Sequence, residues 1–309
     1  MPTIDEKRVY TDNSGTETVL LATGLGVVSV SVSDDLIGEF GVVRRCEARD
    51  VATAGSLVAV ATDEDVLLAA RTSTNEEADS GTSTATPEID FAETGFGPAT
   101  AVGFDGGTLF AGDENGRVAR SDGEGSWSSD SDHSGGGDDG DGTESAAWAD
   151  VGTTGSVRAI DGGLVAADDG VYRVGSGGVT HAGLDDARDV DAEPLVATGA
   201  GLYKLGNGWM DVLEGSVEAV DAIEERGLAA VDGALYARGL DSGETGDASD
   251  ERDRWVEEKL PVDGDVVAVT HGVEASYAVT ADGALAVRLP GDEWRYRELG
   301  VRDVAAATV

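Results

Sequence analysis

Cysteine and positive charge are scarce in this sequence, and each shortage excludes a class of protein. Cys46 is the only cysteine, which excludes an intrachain disulfide and any metal site built on several cysteines. Lysine and arginine together number 21 against 61 acidic residues, so the net charge is −40. Nucleic-acid binding by broad phosphate neutralisation and adhesion to anionic lipid both need a basic surface. We therefore expect no direct nucleic-acid binding and no membrane partner.

Long apolar runs are also missing from the sequence. None approaches the roughly 18 residues that a membrane-spanning helix requires. Residues 1–10 carry charges where a signal peptide would have an apolar core. We therefore expect a cytoplasmic protein, and we expect it to be a monomer.

The acidic excess indicates a salty environment. A net charge of −40 makes a compact chain repel itself in dilute buffer. At about 1 M salt the Debye length is about 3 Å, which screens this repulsion almost at contact distance. A disordered acidic chain is the alternative, but 40% of the residues are apolar and they are spread along most of the length. The composition therefore predicts a folded protein of a halophile.

A repeat of strands and turns runs through the chain, while no segment sustains helical periodicity. Glycine is abundant, with 45 residues, and short β-branched runs alternate with Asp-Gly and Gly-x-Gly turns. The clearest repeat units are residues 156–184 and 187–215, and the unit can be laid on itself seven times. Each unit predicts four strands, with a tight turn between the second and third.

The first predicted strand of every unit has valine or isoleucine at its fourth position, which indicates a buried column near a symmetry axis. These residues are Val51, Val102, Ile160, Val190, Val220, Val269 and Val304. The chain begins in a second strand, at residues 19–23, and ends with a first strand, at residues 301–309. In a closed ring this last strand completes the N-terminal blade and removes a free sheet edge.

We therefore predict an all-β fold: a seven-bladed β-propeller with four-stranded blades, closed by the C-terminal strand joining the N-terminal blade. An open solenoid or a pair of sandwiches is the alternative, although repeat arrays usually need capping units. Residues 1–309 are expected to form a single domain. Disordered acidic insertions are expected at about 72–87, 122–147 and 241–253, each between a third and a fourth strand.

One segment has a partial motif. In RSDGEGSW, residues 120–127, Asp122, Ser126 and Trp127 fall in Asp-box register, whereas Arg120 and Glu124 replace the expected serine and second glycine. The repeat pattern resembles the WD-repeat and Asp-box class of β-propellers, and the acidity resembles the propeller proteins of halophilic archaea. No Gly-His…Trp-Asp signature is present. The resemblance implies a rigid ring used as a binding platform and implies no reaction.

Arginine recurs at the second position of four predicted first strands, and these residues are candidates for an anion site in the central channel: Arg49, Arg158, Arg188 and Arg302. The planar guanidinium group matches carboxylate and phosphate geometry. Ion pairs between neighbouring blades are the alternative, because an aspartate directly follows three of the four. Arg158 is followed by Ala159, which makes it the candidate for an unpaired cation facing a ligand.

Two functions from different classes fit these features. The first is a non-enzymatic scaffold that binds a protein partner or a small anion. The second is a hydrolase or lyase acting on an anionic sugar-like substrate, with the arginines as a clamp and an acid or His271 as base. A smaller third possibility is an assembly factor that docks its acidic loops onto a basic partner. We identify no catalytic residue, no metal site and no cofactor motif.

Overall fold

The computed structural model describes residues 16–71, 89–121, 147–239 and 254–309. This part of the chain forms 28 β-strands and no helix, so it contains no helix that could cross a membrane. The strands are β1 Thr16–Thr23, β2 Gly26–Ser33, β3 Leu36–Arg44, β4 Ala48–Ala54, β5 Leu57–Thr62, β6 Val66–Ala70, β7 Ala92–Glu93, β8 Ala101–Asp105, β9 Thr108–Gly112, β10 Arg117–Ser121, β11 Trp148–Thr153, β12 Val157–Asp161, β13 Leu164–Ala167, β14 Gly170–Gly175, β15 Gly178–Gly183, β16 Ala187–Asp191, β17 Leu195–Thr198, β18 Gly201–Leu205, β19 Trp209–Glu214, β20 Val217–Ile223, β21 Arg226–Val231, β22 Ala234–Arg238, β23 Val256–Glu258, β24 Val266–His271, β25 Ser276–Thr280, β26 Ala284–Arg288, β27 Arg295–Glu298 and β28 Val304–Thr308.

The strands form seven four-stranded antiparallel sheets, which we number as blades 1 to 7. Blade 1 has the order β28-β1-β2-β3, and the other six blades follow in chain order as β4–β7, β8–β11, β12–β15, β16–β19, β20–β23 and β24–β27. The innermost strands contact one another around the whole circle, from β4 through β8, β12, β16, β20 and β24 to β28 and back to β4. The predicted seven-bladed β-propeller is confirmed.

The C-terminal strand closes the ring, as predicted. β28 pairs antiparallel with β1, with Leu20 opposite Thr308 and Thr23 opposite Val304. On its other side, Thr53 of blade 2 donates its hydroxyl to the carbonyl of Val309 at 2.8 Å. Both edges of this terminal strand are therefore tied to a neighbour.

The register of β28 differs from the predicted alignment, which was wrong by three residues. In blade 7 the first residue of the innermost strand, Val266, lies opposite Thr280, and the counterpart of that pair in blade 1 is Val304 opposite Thr23. The alignment had assigned this place to Val301. The reason is that Val301 is only 6% exposed and packs in the core between blades 1 and 7, while Asp303 turns the chain with φ of 54° before β28 begins.

Seven apolar clusters fill the seven interfaces between neighbouring blades. They consist mostly of small branched residues and alanine, which suit the close spacing of stacked sheets. The predicted inner column is buried in six blades, with exposures of 1–6% at Val51, Val102, Ile160, Val190, Val220 and Val269. Each blade therefore depends on both of its neighbours for burial.

The described strands confirm where the long insertions enter. Residues 72–88, 122–146 and 240–253 connect third to fourth strands, β6 to β7, β10 to β11 and β22 to β23. The expected disorder of the insertions lies outside the described residues, as does most of the Asp-box-like segment 120–127. The single-domain boundaries of 1–309 stay a prediction.

Candidate functional site

The innermost strands surround a central channel with a volume of about 360 Å³. Every blade repeats the same meander, so these strands run in one direction and residues at equal positions form layers around the channel. Arg49, Arg158 and Arg188 line it near the strand starts, and we call this end the arginine mouth. Asp161, Asp191, Asp221 and His271 line it near the strand ends, and we call this end the acidic mouth. Asp50 and Asp189 lie between the two ends.

Arg158 is not an unpaired cation, and that expectation was wrong. Its Nη1 donates to Asp186 Oδ1 at 2.6 Å and to the carbonyl of Ala187 at 3.2 Å. Both acceptors belong to the start of the next blade, so the residue that follows Arg158 in sequence does not decide its pairing. The hydrogen bond from Arg158 lowers the pKa of Asp186.

The other two arginines of this mouth are also paired. Arg188 donates to Ser216 Oγ at 2.7 Å and forms a very short ion pair with Glu218, both in blade 6. Arg49 Nη2 lies 3.4 Å from Glu47 Oε1, and Glu47 immediately precedes β4, the strand that carries Arg49. The three arginine side chains remain about a third exposed or less, at 26–35%. The arginine mouth is therefore accessible, but its cations already hold acidic partners.

Arg302 does not join this layer. The place in the channel that the alignment assigned to Arg302 is taken by Ala305, three residues later. Arg302 therefore precedes β28, and its side chain is exposed and outside the channel lining. The channel wall of blade 1 is formed instead by residues 305–309, beginning with three alanines. The predicted four-arginine layer thus becomes one of three.

Asp50 and Asp189 do not pair with arginines, although each follows one in sequence. Asp50 accepts the backbone N–H of Val102 at 2.9 Å, and Asp189 accepts that of Val220 at 2.8 Å, each in the next blade. A β-bulge at each Arg-Asp pair turns the carboxylate toward the neighbouring blade. Although both residues keep some exposure along the channel wall, the surrounding protein desolvates their carboxylates. This burial raises the pKa of Asp50 to about 7 and that of Asp189 well above its usual range.

The acidic mouth was not predicted. Asp161 and Asp191 each accept a backbone N–H of the next blade, at 2.8 Å and 3.0 Å. Burial raises the pKa of both, to about 7 for Asp191, and the nearby Asp221 charge adds to each shift. The signal was present in the sequence, because the first strands VRAID, ARDVD and VEAVD all carry aspartate at the fifth position.

His271 completes this mouth. Its Nδ1 lies 2.6 Å from Asp221 Oδ2 of the preceding blade, and its side chain is 1% exposed. Its Nε2 is buried without a hydrogen-bond partner in the described residues. His271 is four strand positions beyond the arginine layer, which is roughly 13 Å at 3.3 Å per residue. Among the described residues, no group of three or more His, Cys, Asp or Glu side chains is arranged to hold a metal ion.

Comparison with known proteins places the chain among β-propellers. The model of the family described as Beta-prop_HVO_0234-like, beta propeller, matches residues 3–309. No curated protein matches the sequence significantly.

Solved structures agree on the fold at low sequence identity. The structure of U3-55K is similar with a TM-score of 0.54 and 11% identity, covering 86% of this chain and 85% of that one. The β-propeller domain of Cps50 (Swd1) from Myceliophteria thermophila has a TM-score of 0.53 and 11% identity, covering 85% and 90%. YCF48 bound to D1 peptide has a TM-score of 0.51 and 11% identity, covering 92% and 86%.

Proposed function

Because this chain belongs to the Beta-prop_HVO_0234-like family of β-propellers, we propose that it is a non-enzymatic scaffold that binds a protein partner or a small anion. The observation that carries the proposal is the fastening of one blade to the next through the channel wall. Between blades 4 and 7, Asp161, Asp191 and Asp221 each bind the following blade. A ring fastened in this way offers a rigid surface, and a preorganised surface loses little freedom on binding.

Similar propellers support a protein partner without identifying one. The similar structure of YCF48 is a complex with the D1 peptide. For this chain we propose a cytoplasmic setting in a halophile, in line with the net charge of −40. We also propose that it works as a monomer.

The small-anion part of the proposal concerns Arg49, Arg158 and Arg188. Their partly exposed guanidinium groups face one end of a narrow channel, where a focused field favours a ligand of opposite charge. An entering anion has to replace Glu47, Asp186 or Glu218 as the partner. We therefore expect binding of multiply charged anions such as citrate or phosphate.

A thermal-shift titration with citrate or phosphate in molar KCl tests the anion site. Wild-type protein should gain stability as the anion concentration rises, and Arg158→Ala should lose that gain. Arg295→Ala is the matched control, because Arg295 holds Asp35 at 2.7 Å on the outside of the ring. Equal shifts in wild type and Arg158→Ala would leave the arginines with a structural role alone.

Purification of the tagged chain from cells in molar salt, followed by mass spectrometry, tests the protein partner. If the chain is a scaffold, one or a few proteins should co-purify with it in stoichiometric amounts. They should stay bound during washing at the same salt concentration. Recovery of the chain alone, across growth conditions, would contradict the protein partner and leave only the small anion as a ligand.

A second candidate function rests on the pair of His271 and Asp221. A carboxylate that holds an imidazole Nδ1 orients the ring for general-base catalysis. A hydrolase or lyase for an anionic sugar-like substrate would then have its base at the acidic mouth, where the substrate has to reach the buried Nε2 of His271, and its clamp at the arginine mouth. Turnover of uronic-acid substrates that is lost in His271→Ala would favour this function over the scaffold. The assembly-factor alternative depends on the acidic insertions, which lie outside the described residues.

A further inference from the structure

Two exposed apolar side chains lie beside the acidic mouth. Ile223 is 39% exposed and comes two residues after Asp221, at the end of β20. Val273 is 83% exposed and comes two residues after His271, just beyond β24. We call Ile223 and Val273 the apolar rim. The rim and the acidic mouth thus face the same side of the ring, in neighbouring blades.

The loop that carries Val273 is held firmly from both sides. Arg226 of blade 6 donates to the carbonyls of Gly272 at 3.1 Å and Val273 at 2.9 Å. Glu17 of blade 1 accepts the backbone N–H of Val273 at 2.6 Å and the hydroxyl of Tyr277 at 2.6 Å. An almost fully exposed valine on a fixed loop gains no burial within its own chain. A fixed loop also avoids the ordering cost that a mobile loop would add to binding.

Among the described residues, no lysine or arginine pairs with the aspartates of the acidic mouth. In the described residues, the carboxylates of Asp161 and Asp191 accept backbone N–H groups, and Asp221 binds His271. None of the three forms an ion pair with lysine or arginine there. Glu224 and Glu274, the residues that follow the two members of the apolar rim, add negative charge at the edge. Desolvated carboxylates of like charge favour a cation placed between them.

We propose that this face binds a basic segment of a partner protein. A lysine or arginine side chain enters the acidic mouth, and apolar side chains next to it in the segment cover Ile223 and Val273. Lysine and arginine suit such a place, because an apolar stem carries the charged head. A second copy of this chain is a poor occupant, since it would bring one face of a chain of charge −40 against another. This inference rests on the proposed scaffold function and names the surface and the class of partner.

Methyl NMR in molar KCl tests the inference with defined peptides. The probe is Ac-Leu-Arg-Leu-NH₂, and the control peptide is Ac-Leu-Nle-Leu-NH₂, in which norleucine keeps an apolar stem without the charge. The methyl signals of Ile223 and Val273 should shift saturably with the arginyl peptide. Binding of the norleucyl peptide should be weaker by about tenfold or more, as expected for loss of one close charge pair. Leu25, which is 56% exposed in the turn between β1 and β2 on the opposite face, should not respond.

Two variants and one control locate the binding. Val273→Ser changes an exposed side chain and should weaken the arginyl peptide without altering the fold. Asp161→Asn keeps an acceptor for the backbone N–H of Ala192 and should remove most of the preference for arginine over norleucine. Leu25→Ser is the matched control on the opposite face and should bind as wild type does.

Three results would overturn the inference, and they separate it from the scaffold proposal. Shifts at Leu25 instead of the apolar rim would place the peptide on the face of the arginine mouth. This result would contradict the proposed binding surface but not the scaffold function. If no methyl signal shifts saturably, the proposal of a basic partner segment is wrong. The scaffold function is then still tested by the purification experiment. Sedimentation of a dimer that Val273→Ser dissociates would identify a second copy as the occupant.

Discussion

Asp50 shows how a single carboxylate fastens two blades. Its two oxygens accept the N–H of the following residue, Val51, at 2.8 Å and of Val102 in the next blade at 2.9 Å. Among the described residues no cation pairs with Asp50, so burial opposes ionisation of the carboxylate and raises its pKa to about 7. Backbone hydrogen bonds counter this in part, because they favour the charged form.

This raised pKa predicts an unusual pH dependence of stability. The pKa of Asp50 is about 7 in the native state and ordinarily 3.8. At a pH between these values, the native state binds more protons at Asp50 than the unfolded state does. The contribution of Asp50 to the free energy of unfolding therefore falls as pH rises through this interval, and it levels off above it. Asp50→Asn should flatten the slope of melting temperature against pH between about pH 4 and 7, measured in molar KCl.

Asp211→Asn is the control for that measurement. Asp211 is an exposed aspartate on β19, so its replacement removes a charge without removing a buried one. The control should keep the wild-type slope. If Asp50→Asn also keeps it, the carboxylate of Asp50 does not carry the raised pKa.

For individual residues, the sequence predicted the arginines that line the channel better than it predicted their partners. The Arg-Asp dipeptides suggested ion pairs between the two members of each motif in neighbouring blades. The structure instead pairs Arg188 with Glu218 and gives Asp189 to a backbone N–H. A β-bulge decides this outcome, because it rotates one residue relative to the next, and no residue type marks the bulge in the sequence.

At the level of the strands, Gly103 of β8 lies where two neighbouring innermost strands approach each other closely. A β-carbon built there would lie 1.9 Å from the carbonyl oxygen of Ile160 in β12. That contact is with backbone, which has no side-chain freedom to move aside. Gly103 therefore sets the distance between blades 3 and 4 at the channel wall.

Gly103→Ala should destabilise the protein by about 1–3 kcal/mol, the usual cost of overpacking a tight site. Gly177→Ala is the matched control, because its β-carbon would meet nothing within 4 Å. Chemical unfolding in molar KCl gives both values. Equal stability of the two variants would mean that blades 3 and 4 are farther apart than the structure shows.

The order of the elements was predictable from sequence, and their exact register was not. Turn residues and alternating apolar residues mark each hairpin, and Trp148 and Trp209 begin the fourth strands β11 and β19. The closing strand was also predicted. Its register was wrong because the run from Val301 to Val304 imitates the repeat, while packing of Val301 in the core moves the strand three residues onward.

The stability of the whole molecule depends on two opposing contributions: burial of the core stabilises the fold, and repulsion among the acidic residues destabilises it. The core is divided into seven modest clusters rich in valine and alanine, and the chain has a net charge of −40. Self-repulsion of this size destabilises a compact state unless salt screens it.

Salt should therefore control folding. We expect loss of native far-UV circular dichroism below about 0.5 M salt, where screening weakens, and its recovery when KCl is restored to molar concentration. The measurement is a salt titration at constant temperature and protein concentration. A native spectrum in low-salt buffer would contradict the halophilic interpretation.

The ring is rigid because neighbouring blades are fastened to each other and the last strand joins the first blade. Hydrogen–deuterium exchange in molar KCl measures this closure. We predict that the amides of β28 and the facing half of β1 exchange as slowly as those of β17 and β18 in the middle of the chain. Exchange of β28 within seconds, as for an unpaired tail, would show an open ring and remove the basis of the binding platform.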